Sequence, residues 1–255
     1  MIRVYLDWNC ITNNCQGFLE LAEKYRNDVV FPFTREHIRD LLESIQHKDY
    51  YLADLEILQK MCADNFLEIK DDQGFIYKYS PIEYQRLNGW RIRLIQAPFN
   101  LILKNNYRMI KGTVLKHFSN EELNIIRNKQ TSDIIPYLDT YVVTHNLGTS
   151  LEDFANRFVP RCKWLYNTSS RLKSVYFSLD MMGYYSDKKK GKHFNFTNID
   201  IDANHMTNAI HCDYFVTDDS RLFQKAEAIY LRYGCRTKII WPNNLVDVIN
   251  NDLSK

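Results

Sequence analysis

Two short apolar runs at opposite ends of the chain each break off at aspartate, and any fold must accommodate both. Near the start, Ile2 to Leu6 runs into Asp7; near the end, Tyr214 to Thr217 runs into Asp218 and Asp219. Short apolar runs bounded by polar residues read as buried strands. After the first run the period becomes helical, through Phe18, Leu19, Leu21, Ala22 and Tyr25. A second run, Val29 to Phe33, carries Pro32 near its end. Thr34 then stands where an N-cap belongs, and Ile38, Leu41, Leu42 and Ile45 predict a further helix. The other end repeats the rhythm. A helix is expected from Asp202 to Cys212, a strand over 214–217, and a helix from Ser220 to Tyr233 stopped by Gly234. A strand over 237–241 ended by Pro242 follows, and then a helix over 244–250. Alternating β and α elements of this kind build a doubly wound parallel sheet.

The expected architecture is therefore one α/β core drawn from both ends of the chain, residues 1–47 and 196–255. Between them, residues 48–195 read as a mostly helical insertion. Its pattern is helical and rich in aromatic and basic types, without internal repeats. At 255 residues and 45% hydrophobic composition, a sizeable core forms without disulfides. The six cysteines include no CxxC pair and no zinc-like spacing, so buried thiols in a reducing compartment are expected. The first residues turn polar at Asp7, too early for a signal peptide, and no apolar stretch is long enough for a membrane span. Cytoplasmic location and no membrane partner are the resulting expectations. With a net charge of +2, any nucleic-acid surface must be a local patch.

In open parallel sheets, ligands bind beyond the carboxyl ends of the strands. Asp7, Asp218 and Asp219 all follow strands directly. Asp202 stands at the expected start of a helix, and Asp40 lies in the second turn of the helix after Thr34. Carboxylates gathered at one edge repel one another unless a cation neutralises them. Mg²⁺ or Mn²⁺ suits an all-oxygen donor set.

Three segments carry a family resemblance. VYLDWNCI resembles the opening strand of PIN domains, with Asn9 as the small polar residue after the aspartate. FPFTREHIRDLL resembles their second segment, where Ser or Thr starts a helix bearing an acid. DANHMTNAIHCDYFVTDDSRL is similar to the closing segment, with Asp202 as the helix-opening acid and Thr217 and Asp219 as the Thr-x-Asp pair. The resemblance covers about 30 residues at the N-terminus and about 50 at the C-terminus. It implies a Rossmann-like three-layer fold and metal-dependent phosphodiester cleavage, RNA being favoured over DNA, with 5′-phosphate and 3′-hydroxyl products. Asp7, Asp40, Asp202 and Asp219 become the catalytic metal ligands; Asn9 and Thr217 would orient ligands or water. Glu36 remains an alternative to Asp40, and Asp218 competes with Asp219. On a helical wheel Glu36 and Asp40 both sit opposite the apolar stripe, as solvated residues would.

His37 and His205 each lie three residues from a predicted acid, within reach of general acid/base or phosphate-contacting roles, although a lone helical histidine is more often structural. Lys188, Lys189, Lys190 and Lys192 form the one strong charge run, either a solvated loop or a phosphate contact. Tyr84, Arg86, Trp90, Arg91 and Arg93 mix the residue types of single-strand binders, although a helix with a snorkelling basic face is the plainer reading. The PIN-like class suggests a toxin or defence ribonuclease, with an inhibitor or antitoxin protein as partner; a homodimer stays open. A catalytically inactive PIN-like module that binds nucleic acid or protein is the alternative. A haloacid-dehalogenase-type phosphatase also puts Asp after its first strand but typically has Asp-x-Asp, where this chain has Asp7-Trp8-Asn9. No GxGxxG follows the first strand, and no Ser-His-Asp arrangement is visible.

Overall fold

Strand β1 (Ile2–Leu6) is the hub of the fold, since it pairs in parallel with partners from both ends of the chain. In the computed structural model, which describes residues 1–13, 15–43, 48–70, 73–158, 170–186 and 196–254, it is followed by helices α1 (Trp8–Asn13) and α2 (Cys15–Lys24). Strand β2 (Val29–Val30) and helices α3 (Arg35–Glu43) and α4 (Lys48–Cys62) come next. A hairpin of β3 (Asn65–Lys70) and β4 (Gln73–Lys78) precedes the long helix α5 (Pro81–Leu115). Helices α6 (Asn120–Arg127), α7 (Thr131–Thr144), α8 (Leu151–Phe158), α9 (Ser170–Met181) and α10 (Phe196–Ala209) follow. The chain ends with β5 (Tyr214–Val216), α11 (Ser220–Tyr233), β6 (Lys238–Ile240), a 3₁₀ turn (Pro242–Asn244) and α12 (Leu245–Leu253).

The molecule is α/β, with a four-stranded parallel sheet in the order β2-β1-β5-β6. The chain steps outward from β1 to β2 on one side and from β5 to β6 on the other. The direction of winding therefore reverses between the two central strands. Val4, Tyr5 and Leu6 pair with Tyr214, Phe215 and Val216, and all six are buried. Side chains on both faces of these strands are covered, which explains runs that are apolar throughout rather than alternating.

Two compact units divide the chain. The first holds residues 1–96, 208–219 and 236–255, and with them the whole parallel sheet. Its core joins Val4, Leu6, Ile11, Phe18 and Leu21 to Ile38, Leu41, Leu58, Val216, Leu245 and Ile249. Thr34 starts α3 as predicted, its hydroxyl accepting the Glu36 amide at 3.3 Å. Ile38, Leu41 and Leu42 are buried as their spacing predicts; Ile45 lies outside the described residues. The compact units do not follow the bounds expected from the sequence, because α4, the β3–β4 hairpin and the start of α5 belong with the sheet. The hairpin is a β element within the stretch read as mostly helical. It is fastened by a parallel bridge, in which Phe33 N donates to Asn65 O at 2.9 Å and Leu67 N to Phe33 O at 2.8 Å.

The second unit, residues 97–207 and 220–235, is helical among its described residues. Its interior holds a charged group as well as an apolar core. Asp180, fully buried, accepts bonds from Lys111 Nζ at 2.5 Å and the Tyr107 hydroxyl at 2.7 Å, and Lys225 Nζ lies 3.6 Å away. Lys225 Nζ also stands 4.3 Å from the centre of the Tyr176 ring. Burial pushes the Asp180 carboxyl up, but Lys225 and Lys111 outweigh it and hold the group below the usual carboxylate range. Among the described residues, no helix is long and apolar enough to cross a membrane.

Candidate active site

The two central strands deliver their last residues side by side. Leu6 is in register with Val216, and the Asp7 amide extends the ladder by donating to Val216 O at 2.9 Å. Thr217 N in turn reaches Ile240 O at 3.4 Å. Asp7 and Thr217 therefore emerge at the point where the winding of the sheet reverses, the usual place for a ligand crevice. The Thr217 hydroxyl donates to Asp7 Oδ2 at 3.0 Å and accepts the Asp219 amide at 3.1 Å. A hydroxyl has one proton, so giving it to Asp7 and receiving the Asp219 N–H fixes its rotation in both senses. The other carboxylate oxygen, Asp7 Oδ1, takes the Trp8 amide at 2.9 Å. Asp7 is 3% exposed and Thr217 fully buried, so the carboxylate is held in a fixed orientation just beneath the surface at the strand ends.

Asp7 also opens α1, its carbonyl accepting the amides of Cys10 and Ile11. That helix returns to the site at its far end, where Asn13 Nδ2 donates to Asp218 Oδ2 at 2.8 Å. Between these ties sits Cys10, whose thiol points to Val216 O at 3.7 Å. Burial pushes that thiol far up, and the charges of Asp7 and then Asp218 push it further, leaving it protonated and inert.

Helix α3 flanks the same strand end. His37 Nδ1 accepts the Thr34 amide at 3.0 Å. An amide can only donate, so the proton is on Nε2, which donates to Leu6 O at 2.8 Å. Tyr5 and Thr34 share a hydroxyl–hydroxyl bond of 2.8 Å, and the Asn208 amide lies 3.5 Å from Thr34 Oγ1. His37 is thus a fully buried brace one residue before Asp7. Glu36 pairs with Arg39 at 2.5 Å, and both are buried. The helical-wheel expectation of solvated acids on α3 is corrected: Glu36 is buried and Asp40 half-buried, because α3 is covered on nearly every side.

The predicted site residues divide as follows. Asp7, Thr217, Asp218 and Asp219 come together, and His37, Glu36 and Asp40 stand on the adjoining helix. Asn9 is exposed on the first turn of α1. Asp202, half-buried, and His205, fully buried, lie on α10 within the second unit. Asp202 does not open that helix, which begins at Phe196. Lys188, Lys189, Lys190 and Lys192 lie outside the described residues. Tyr84 is part of the core packing, against Phe33 and Phe66, while Trp90, Arg86, Arg91 and Arg93 face solvent. Reading the sequence missed Asn13 and Tyr5. Asn13 follows Asn9 by one helical turn, a spacing that was visible; Tyr5 looked like any strand residue.

Among the described residues, no group of three or more His, Cys, Asp or Glu side chains is gathered into a metal-holding arrangement. The donors at the two strand ends are nevertheless all oxygen. Mg²⁺ is commonly held by one or two carboxylates with waters and substrate phosphates rather than by a complete protein cage, and Asp7 with Thr217–Asp219 fits that mode. Comparison with protein-family models, with curated proteins and with solved structures found no match to this chain.

Proposed function

We propose that this chain is a divalent-metal-dependent nuclease of the PIN-like kind, hydrolysing phosphodiester bonds with RNA as the favoured substrate. The observation that carries the reading is the coupling of Asp7 to Asp219 through one buried hydroxyl at the mouths of adjacent parallel strands. The order of the three PIN-like segments along the chain supports the same reading, and a Rossmann-like three-layer arrangement and a cytoplasmic setting are part of what it proposes.

In this reading Asp7 and Asp219 would hold Mg²⁺ or Mn²⁺, with Asp40 as a further acid from the same compact unit. The ion, when bound, supplies a water of lowered pKa and neutralises charge on the leaving oxygen. Thr217 and the Trp8 amide keep the Asp7 carboxylate in one orientation, so no reorganisation is needed when the phosphate arrives. Glu36 is engaged by Arg39, and alignment of the second segment on Thr34 makes Asp40 the acid contributed by α3. Asp218 anchors the end of α1 through Asn13. His37 braces the strand and takes no proton from substrate.

The test is cleavage of labelled RNA and of single-stranded DNA with Mn²⁺. Asp7→Asn and Asp219→Asn each abolish cleavage while the circular-dichroism spectrum is unchanged, and EDTA abolishes it in the wild type. Full activity in both variants, or in excess EDTA, removes the mechanism. RNA binding without cleavage by the wild type would instead identify an inactive PIN-like binding module.

A further inference from the structure

A pocket of about 730 Å³ opens between α2 and the segment that follows β6. Both of its walls are tied to the acidic strand ends. One wall, Gly17, Phe18 and Leu21, belongs to the helix after α1, whose Asn13 holds Asp218. The other, Trp241, Asn243 and Asn244, begins immediately after Ile240, whose carbonyl accepts the Thr217 amide. The pocket therefore lies toward the same carboxyl edge of the sheet as the candidate active site, within the same compact unit.

We infer that this pocket receives a nucleobase next to the scissile phosphate, an assignment that rests on the nuclease reading. Among the described residues, no charged side chain lines it. A phosphate or other ionic group finds no counter-charge there, whereas the base is the uncharged part of a nucleotide. Trp241 in the lining contributes an aromatic ring, the side-chain type on which bases stack irrespective of sequence. Asn243 and Asn244, both exposed, each carry an amide oxygen and an amide NH₂, the donor–acceptor pair that matches a base edge. Phe18 and Leu21, both nearly buried, give it an apolar base. The volume falls in the range of roughly 300–1,000 Å³ typical of small-molecule sites. Stacking and edge recognition together make the pocket a determinant of where the chain is cut.

Gly17 supplies a clean test. A Cβ at that position meets nothing within 4 Å, so Gly17→Leu puts bulk into the pocket while improving the helix. Binding of the four nucleoside 5′-monophosphates and of ribose 5-phosphate is measured by calorimetry in EDTA. At least one nucleotide binds and ribose 5-phosphate does not. Trp241→Ala weakens the nucleotide about tenfold or more, Gly17→Leu abolishes binding, and Trp241→Phe retains it. With RNA and Mn²⁺, Gly17→Leu raises KM and alters the positions of cleavage, while kcat on the sites still cut is largely kept. Equal affinity for ribose 5-phosphate, or unchanged affinity, KM and cleavage positions in Gly17→Leu, overturns the assignment. A wild type that binds a nucleotide through Trp241 but cleaves nothing would retain the pocket and remove the nuclease reading.

Discussion

Thr217 is a side chain that ties the two acidic strand ends together. Its hydroxyl bonds Asp7 and the Asp219 amide, and a valine of the same shape would offer neither bond. Thr217→Val leaves a buried carboxylate oxygen and an amide without that partner, a loss of about 1–3 kcal/mol. Thermal unfolding should show the drop, cleavage should fall with it, and Thr217→Ser should restore most of both. If Thr217→Val keeps full stability and activity, the hydroxyl does not hold the acid. His37 makes a similar argument for the neighbouring helix. His37→Phe keeps the ring but leaves the Leu6 carbonyl and Thr34 amide unsatisfied, at about 1–3 kcal/mol for each buried group. A denaturant midpoint unmoved by that change would refute the bracing role. At this scale the sequence shows where acids follow strands, so Asp7, Asp218 and Asp219 were legible. It does not show hydrogen-bond direction. His37, read as more often structural than chemical, has its Nδ1 on the Thr34 amide at the start of α3 and its Nε2 on Leu6 of β1, a pairing that the sequence does not reveal.

Elements with a strong amphipathic period were readable to within a residue or two, as α11 shows, running from Ser220 to Tyr233 before Gly234 at φ +63°. The start of α10 was misread because Asp202 is a good N-cap type, and that local preference was given more weight than packing. Phe196, Ile199, Ala203 and Met206 recur at helical spacing and are all buried, so the helix begins six residues earlier. The β3–β4 hairpin was missed for a different reason: Phe75 and Tyr77 are largely exposed, so the strands lack a clean hydrophobic face, and their pairing partner is what defines them. Gly74 makes that pairing testable. A Cβ there would stand 2.4 Å from His211 Cβ, too close for any real contact. Gly74→Ala should destabilise the first unit by about 1–3 kcal/mol, read by chemical denaturation; an unchanged midpoint would contradict the packing. A milder effect is expected for Ser119→Ala at the capping box of α6, about 1 kcal/mol.

For the whole molecule, charge inside the helical unit sets a pH dependence. The Asp180 carboxyl titrates below its unfolded value, so its contribution is complete above the unfolded pKa of about 3.9 and is lost as pH falls through the lowered folded value. Asp180→Asn leaves Lys111 and Lys225 facing no anion at that position and should cost about 3–5 kcal/mol near neutrality. The gap between variant and wild type should narrow once the pH falls well below 4; a gap constant from pH 7 to pH 2 would show that the pair contributes nothing. The parallel sheet built from both ends was legible in the repeated β-α rhythm. The grouping of residues up to 96 with that sheet was not, because it depends on contacts such as the Phe33–Phe66 bridge, which no single segment announces. The separation of β1 from β5 has one more effect. Asp7 leaves the ribosome 210 positions ahead of the threonine that orients it, an interval of roughly 10–40 s at ordinary elongation rates. For that time the nascent polypeptide carries Asp7 without the hydroxyl that orients it, so under the proposed nuclease reading cleavage would begin only once residue 217 has emerged.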